Sequence, residues 1–268
     1  MQRAPGNGSF EDLRAGPRPV SAPVRAALCR GIVDRLRARY GARIRAILVT
    51  GSVARGLDHG FSDLDLTCVL RAPDDVDHYH EWVHGDNKIE IAILGEQRLL
   101  VHGSTVTAKW PFSPGAYLSA RLLHGDEAFL DRLQGAIRAA PKEDFDRAIR
   151  ELLIDGLYGV LSKLRGVAES GNLPALPQLA VEFAEDGASL IALLRRYPLN
   201  ARITMLQETS LFPHGPAGFS ALCALVLSGS LADPAEIQAA CEGFWQGVVP
   251  WVQAEGVDLS PLWESPFP

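Results

Sequence analysis

The chain contains 268 residues with a formal net charge of −6, and 47% of its residues are hydrophobic while 22% are charged. This length and composition provide for one large or two modest globular domains and exclude a mostly disordered chain. The acidic balance, without a block of Lys and Arg, argues against a nucleic-acid backbone as partner and favours a cationic small molecule. Because no apolar run approaches the roughly 20 residues that span a bilayer, we expect a cytoplasmic protein without a membrane partner.

The first elements predicted from the N-terminus are an arm, a helix and a strand. Residues 1–20 are rich in Gly, Pro and Arg, and we expect a loose or extended arm there. Ser21 as N-cap and a first-turn proline begin an amphipathic helix that ends at Gly41, because apolar residues recur at helical spacing in between. Residues 44–50 are apolar and run into Gly51-Ser52, which predicts a buried strand followed by a tight turn.

Two further strands are predicted in the next fifty residues. Residues 61–70 alternate and then become apolar, and residues 88–94 alternate cleanly with period two. Between them, residues 74–83 are polar and aromatic and predict a short helix that leads to a turn at residues 84–87. The sheet is expected to end near Pro111.

Long helical periods follow from about residue 117, with Gly and Pro at the joints. Helices are predicted over residues 117–133, 142–169, 176–197, 218–227 and 234–254. The second of these carries an apolar stripe that is typical of a bundle helix, formed by Leu152, Leu153, Leu157, Val160, Leu161 and Leu164. The predicted fold class is therefore α/β (α+β), with a mixed-sheet domain over residues 21–115 and an α-helical bundle domain over residues 116–268.

Acidic residues mark the chemistry of the first domain. Residues two apart on a strand point to the same face, so Asp63 and Asp65 should present their carboxylates side by side. Close carboxylates repel each other unless a cation lies between them, and hard oxygen ligands suit Mg²⁺ that carries nucleotide phosphates. Glu90 lies on the next predicted strand and shares a face with Lys88 and Ala92. We therefore predict that Asp63, Asp65 and Glu90 hold one or two Mg²⁺ ions.

The turn after the first strand adds candidate phosphate ligands. Gly51 lets the backbone approach a phosphate, the Ser52 hydroxyl can donate to it, and Arg55 adds positive charge one helical turn on. Two metals can activate an attacking hydroxyl and steady a leaving pyrophosphate, which predicts nucleotidyl transfer from a nucleoside triphosphate such as ATP. Alone, a Gly-Ser turn or an Asp-x-Asp pair is usually only structural, so the prediction depends on their occurring together and in order.

These motifs resemble a known superfamily. GS, then SDLDL, then an acid between apolar strand residues is similar to the nucleotidyltransferases related to DNA polymerase β. The resemblance extends over about residues 24–258 to the kanamycin nucleotidyltransferase family, the aminoglycoside 4′-O-nucleotidyltransferases. It is carried, in order, by RAILVTGSVARG, GFSDLDLTCVL, HEWVHGDNKIEI, AKWPFSPG, LSGSLADP and EGFWQGVVPWVQAEG. HEW and FWQG are more specific than the superfamily motif.

The resemblance implies an activity and an assembly. It implies a nucleotidyltransferase domain that uses ATP and Mg²⁺ to transfer AMP to a hydroxyl of an aminoglycoside antibiotic, expected to be the 4′-OH, which confers resistance. It also implies a homodimer with active sites between the subunits. Lincosamides, biosynthetic sugars and protein hydroxyls are alternative acceptors, and the full-length helical domain argues against the last. A non-catalytic nucleotide-binding domain is a further alternative, which the intact acids oppose.

The resemblance also carries site residues onto this sequence. The family's nucleotide-phosphate contacts match Ser52, Arg55 and Ser62, and its metal ligands match Asp63, Asp65 and Glu90. Glu81 matches an acid that faces the aminoglycoside, and Lys163 matches an active-site lysine. From the residues themselves, His80 and Glu81 are either a general base pair or a surface contact. Glu182, Glu185 and Asp186 are either a solvated face or part of an amine-binding cleft.

The general base is where the sequence departs from the family. In the family a glutamate on the first long helix of the second domain takes the proton from the acceptor hydroxyl, and it aligns with Gly159, which cannot act as a base. Asp155 lies four residues earlier and Lys163 four residues later, so the three positions share one helical face. Asp155 is therefore the predicted base. The alternatives are that it only pairs with a cation while the metal acidifies the hydroxyl, or that Glu151 acts instead.

Overall fold

The computed structural model describes Arg14, residues 16–71 and residues 77–263, so most of the predicted N-terminal arm lies outside the described residues. The chain forms two compact units: Met1–Thr105 with Pro114–Ala139, and Val106–Ser113 with Ala140–Pro268. The domain limits predicted from the sequence, at residues 20 and 115, stay predictions. Within the described ranges, no helix is long and apolar enough to cross a membrane.

The first unit is built on a five-stranded mixed sheet in the order β3-β4-β2-β1-β5. Its strands are β1 (Ile44–Val49), β2 (Leu64–Leu70), β3 (Asp77–His84), β4 (Asn87–Gly95) and β5 (Arg121–Gly125). Its helices are α1 (Ala22–Tyr40), α2 (Gly51–Arg55), α3 (Glu96–Ser104) and α4 (Glu127–Arg138). Only β2 and β4 run parallel, and the other neighbours are antiparallel. The mixed sheet, the first helix and the three predicted strands are confirmed, although β2 begins at Leu64 rather than at residue 61.

The apolar runs of the central strands form the core of this unit. Ile47, Leu64 and Ile89 are fully buried, and α1 adds Ile32 and Leu36 to the same cluster. Burial of this apolar surface is the main term that stabilises the sheet. The polar positions between the apolar ones are thereby directed to the opposite side of the pleat.

The short helix predicted over residues 74–83 is wrong for the part that the structure describes. Residues 77–84 form the edge strand β3, which pairs antiparallel with β4 through a two-residue turn at Gly85-Asp86. Gly85 has a positive φ of 62°, which such turns favour. Most of the side chains of β3 are exposed on both faces, so the sequence lacks the apolar alternation by which a strand is recognised.

The helix predicted over residues 117–133 is also wrong in its first half. Residues 121–125 form β5, the other edge strand, so the sheet does not end near Pro111. A Cβ at Gly125 would lie 2.4 Å from the Arg45 carbonyl oxygen, so this close strand pairing requires glycine. Helix α4 begins only after Asp126, whose side chain accepts a hydrogen bond from the Ala128 amide.

The second unit is helical, as the sequence predicts. Its helices are α5 (Lys142–Glu151), α6 (Gly159–Ser170), α7 (Leu176–Leu194), α8 (Met205–Ser210), α9 (Phe219–Ser228) and α10 (Pro234–Ala254). A π-helical segment, Leu152–Tyr158, joins α5 to α6, so the long predicted helix is continuous but widened in the middle. The six apolar residues of its predicted stripe are all buried. π-Helical turns are rare and are frequent at functional sites.

Candidate active site

Strand register places three carboxylates in one row across the sheet. Asp65 on β2 is paired with Glu90 on β4, and Glu90 is paired with Glu81 on β3. Asp63 immediately precedes β2 and extends the group along the chain. Carboxylate oxygens of Asp63, Asp65 and Glu90 all lie within 4.8 Å of one another. The structure thus brings together the three acids that the sequence predicts as metal ligands.

The turn after β1 is shaped around the Asp65 carboxylate. The Thr50 amide donates to the Asp65 carbonyl oxygen at 3.0 Å, which holds the start of α2 against β2. Gly51 has a φ of +66°, and a Cβ there would lie 2.1 Å from Asp65 Oδ2. Glycine is therefore required twice, once by the left-handed backbone and once by the carboxylate that occupies the space of a side chain. Ser52 and Arg55 are partly exposed on α2 beside this turn.

The charges and burial of the three carboxylates suit the binding of a hard divalent cation. Burial, together with the negative charges of Asp63 and Glu90, raises the pKa of Asp65 to about 6, although the positive charges of Lys88 and Arg55 lower it. Clustered and partly dehydrated carboxylates of this kind are stabilised when a divalent cation binds between them. Oxygen donors alone form the cluster, which is the donor chemistry that Mg²⁺ prefers. The residues present therefore fit the predicted Mg²⁺ site.

Two residues that the sequence did not single out contact the Glu90 carboxylate. Lys88 donates to Glu90 Oε1, and its Nζ lies 2.7 Å from Glu81 Oε1 and 3.9 Å from Asp63 Oδ2. The hydrogen bonds with Glu81 and Glu90 raise the pKa of its ammonium group. The Tyr79 hydroxyl donates to Glu90 Oε2 at 2.7 Å, which raises the pKa of Tyr79 to about 12. Although burial opposes it, these two hydrogen bonds lower the pKa of Glu90. Tyr79 could not be found from the sequence because its strand was predicted as a helix.

A buried arginine holds the loop that leads to Asp63. Arg25 on α1 is 2% exposed and donates to Asp58 Oδ2 at 2.5 Å and to the His59 carbonyl oxygen at 2.6 Å. The His59 amide in turn donates to Ser62 Oγ at 3.0 Å. The Ser62 hydroxyl therefore helps to build the loop, and its contact with a nucleotide phosphate stays a prediction.

Glu81 lies on β3 beside Glu90 with about half of its side chain exposed, at 47%. Because adjacent residues of a strand point to opposite faces, His80 and Glu81 cannot act together as a general base pair. This geometry rules out one of the two alternatives for these residues. Glu81 Oε1 is paired with Lys88, and the half-exposed carboxylate lies on the face that carries the other acids.

In the second unit, Asp155 lies in the π-helical segment and is exposed. Among the described residues it makes no hydrogen bond or ion pair, so the structure does not support the alternative in which it only pairs with a cation. A Cβ at Gly159 would have a single neighbour within 4 Å, the Ile154 carbonyl oxygen at 3.5 Å. Space is therefore open beside Gly159, as the prediction for Asp155 requires. Lys163 is exposed on α6.

Asp186 on α7 is a further unusual carboxylate in this unit. A Cβ at Gly156, in the π-helical segment, would lie 2.8 Å from Asp186 Oδ2, so the absence of a side chain there admits the carboxylate. Burial and the charges of two nearby glutamates raise the pKa of Asp186 to about 6, although Arg202 and Lys163 lower it. The sequence left Asp186 as either a solvated acid or a cleft acid, and its partial burial excludes the fully solvated alternative.

Comparisons with known proteins agree with the two-part architecture. The family model "Nucleotidyltransferase domain" matches residues 29–108, and the model "KNTase C-terminal domain" matches residues 127–258. Proteins named "Aminoglycoside nucleotidyltransferase (4′)" from Staphylococcus aureus and from Bacillus sp are each 30% identical over 247 residues, which is 91% of this chain and 97% of theirs. A nucleotidyltransferase-like protein of known structure from Exiguobacterium sibiricum shares the fold, with a TM-score of 0.52 at 13% identity over 83% of this chain and 75% of that one.

Proposed function

The chain belongs to the kanamycin nucleotidyltransferase family and is a nucleotidyltransferase, and from this premise we propose that it transfers AMP from ATP to a hydroxyl of an aminoglycoside antibiotic. The 4′-OH is the proposed position, and drug resistance is the proposed consequence. The observation that carries the proposal is the group of carboxylates from Asp63, Asp65 and Glu90 within 4.8 Å of one another. The names of the two relatives support the choice of acceptor.

The sheet acids supply the metal site of the proposed reaction. Asp63, Asp65 and Glu90 would hold Mg²⁺, which supplies positive charge that steadies the leaving pyrophosphate and lowers the pKa of an attacking hydroxyl. Gly51 has no side chain, and the Asp65 carboxylate occupies the space that one would take, so the turn lies directly against a proposed metal ligand. Ser52, Arg55 and Ser62 are the proposed contacts of the nucleotide phosphates.

Glu81 is the proposed contact of the acceptor. Its exposed carboxylate lies in register with Glu90, so a cationic group that binds it would lie next to the metal ligands. Aminoglycosides carry several ammonium groups, and the chain as a whole has a net charge of −6, which attracts such a molecule. Charge-assisted hydrogen bonds from ammonium groups to a carboxylate are strong enough to orient the acceptor.

Asp155 and Lys163 are the proposed catalytic residues of the helical unit. The exposed Asp155 carboxylate has no hydrogen bond or ion pair within the described part of the chain, so it is available to take the proton of the acceptor hydroxyl. The open position at Gly159 leaves room for the acceptor on that face. Lys163 is proposed as the second catalytic residue because it matches an active-site lysine of the family and is exposed on α6.

We also propose that two copies of the chain associate. Several large apolar side chains of the second unit are exposed, among them Ile203, Leu211 and Trp263, each at more than four-fifths. Exposed apolar and aromatic side chains of this kind are the material of subunit interfaces. Light scattering at micromolar concentration should give the mass of a dimer, and a fully active monomer would contradict the proposal.

Pyrophosphate release with a panel of acceptors tests the proposed function. The protein should release pyrophosphate from MgATP when kanamycin or related aminoglycosides are present, and not with a lincosamide or without acceptor. If pyrophosphate is released only with the lincosamide, the proposed acceptor class is wrong, whereas the proposed nucleotidyl transfer stands. Absence of release with every acceptor would contradict the proposed activity.

A further inference from the structure

We propose that Lys88 is a built-in counter-cation of the metal-free site, which holds the acids together until a divalent cation takes over its contacts with Glu90 and Asp63. The proposal rests on the metal site of the proposed function. The ammonium group of Lys88 contacts Glu81 and Glu90 and approaches Asp63. Lys88 is therefore a positioning residue for the metal ligands rather than a ligand itself.

Strand register creates the need for such a cation. Glu81 and Glu90 are directly opposed across β3 and β4, and Asp65 is in register with Glu90 on its other side. Like charges directly opposite each other destabilise a strand pair. Lys88 lies two residues before Glu90 on the same face of β4, which is the nearest position from which a long side chain reaches both glutamates. Its ammonium group compensates a repulsion that the register makes unavoidable.

Both oxygens of Glu90 are occupied in this arrangement. Lys88 donates to Oε1 and Tyr79 donates to Oε2. A divalent cation that binds Glu90 has to share or replace one of these donors, and the two are not equivalent. Tyr79 is neutral and remains compatible with a bound cation, whereas Lys88 is positively charged and repels it.

The side chain of Lys88 is able to leave. It is 46% exposed, and Glu81 is about as exposed, so the ion pair between them can persist while the contacts with Glu90 and Asp63 are lost. A lysine side chain is flexible and its charge is easily resolvated at this exposure. Release of Lys88 from Glu90 thus costs far less than release of a buried cation.

The two donors to Glu90 therefore predict effects of opposite sign on metal affinity. Lys88→Gln removes the competing charge and should raise the affinity for Mn²⁺ by roughly three- to tenfold, since the metal ion then no longer has to break the weak, exposed contacts of Lys88 with Glu90 and Asp63. Tyr79→Phe removes an orienting hydrogen bond and should lower it by up to roughly tenfold. Arg98→Gln is the matched charge control, because it also removes one positive charge from a half-exposed ion pair, the one with Asp77. It should change the affinity for Mn²⁺ by less than about twofold.

The affinity is measured on the full chain by electron paramagnetic resonance of free Mn²⁺, without nucleotide or acceptor. Unchanged or weaker binding by Lys88→Gln, with Arg98→Gln like wild type, overturns the proposal for Lys88 and leaves the metal site intact. Wild-type protein that binds no Mn²⁺ overturns the metal site of the proposed function as well.

A second measurement uses the wild-type protein only, so it tests the proposal even if Lys88→Gln fails to fold. Labelling of Lys88 in the wild-type protein by an amine-reactive reagent, followed by mass spectrometry, should increase when Mn²⁺ is added, because its contacts with Glu90 and Asp63 are released. Labelling that stays constant or decreases at saturating Mn²⁺ overturns the proposal.

Discussion

The acids of the sheet are held by strand pairing, whereas the acids of the helical unit depend on one widened turn of helix. Asp65, Glu90 and Glu81 occupy one row of a hydrogen-bonded sheet, so their separation is fixed by backbone geometry. Asp155 is exposed in a π-helical segment, and its direction depends on a local change in helical pitch. Negative charge is thus concentrated where strand pairing fixes the backbone, whereas the proposed proton acceptor lies where the helix is widened.

Substitution of the metal-binding acids of the sheet is expected to lower kcat most. Asp65→Asn and Asp63→Asn should each lower kcat by at least about a thousandfold, because the charge that a metal ion contributes to the transition state amounts to several kcal/mol. Steady-state pyrophosphate release measures the loss. Asp77→Asn, on the edge strand of the same sheet, is the matched control and should retain activity within about threefold. Normal turnover in either site variant would contradict the metal assignment.

A substitution at Asp155 in the π-helical segment should lower kcat less than a substitution of the sheet acids does. Asp155→Asn is expected to lower kcat by at least about a hundredfold with little change in the affinity for ATP, since general-base catalysis contributes roughly 10²- to 10⁴-fold. Glu151→Gln, four residues earlier, tests the alternative base and should leave kcat nearly unchanged if Asp155 takes the proton. A loss below about threefold in Asp155→Asn, with an unchanged pH–rate profile, would return the role to the metal or to another acid.

Substitution of Gly51 tests how tightly the turn after β1 is packed against Asp65. Gly51→Ala adds a Cβ where Asp65 Oδ2 now lies and places a side chain at a φ of +66°. We expect a loss in the free energy of unfolding of about 1–3 kcal/mol, measured in urea, together with weakened metal binding. Gly159→Ala, whose Cβ would make only an ordinary van der Waals contact with the Ile154 carbonyl oxygen at 3.5 Å, should cost no stability and serves as the control. Equal stability of Gly51→Ala and wild type would show that the turn is less constrained than the geometry implies.

The smallest effect concerns Asp186 and the pH dependence of stability. Because its folded pKa, about 6, exceeds the usual value of 3.8, the folded protein binds more protons than the unfolded chain between these values. Asp186 therefore lowers stability as pH rises through this window. Asp186→Asn should stabilise the protein more at pH 7.5 than at pH 5, by less than about 1 kcal/mol after solvent screening. Urea unfolding of both proteins at the two pH values measures the difference, and the opposite sign would contradict the burial of this carboxylate.

The sequence predicts the parts of the fold that have strong apolar periods. The buried strands β1, β2 and β4 and the helical second unit follow from these periods, and so do the three sheet acids, because period-two alternation fixes their face. The edge strands β3 and β5 were missed because their side chains are exposed on both faces or fit a helical period equally well. The contacts of Tyr79 and Lys88 with Glu90 depend on cross-strand register, which a single sequence does not encode as a local pattern.

The helical unit shows a different limit of prediction. The apolar stripe from Leu152 to Leu164 is compatible with an uninterrupted α-helix, so nothing in its period signals the π-helical segment. The approach of Asp186 to Gly156 joins residues thirty positions apart and depends on how two helices pack. The π-helical surroundings of Asp155 therefore could not be predicted from the sequence.

The mass of the drug after reaction tests the proposed transfer of AMP directly. Kanamycin incubated with the protein, ATP and Mg²⁺ should gain the mass of one AMP unit, with one pyrophosphate released for each molecule modified. The adduct should be absent without Mg²⁺ and with Asp65→Asn, and a 4′-deoxy derivative of kanamycin should stay unmodified. Kanamycin that remains unmodified by the wild-type protein at saturating MgATP would contradict the proposed aminoglycoside nucleotidyltransferase activity.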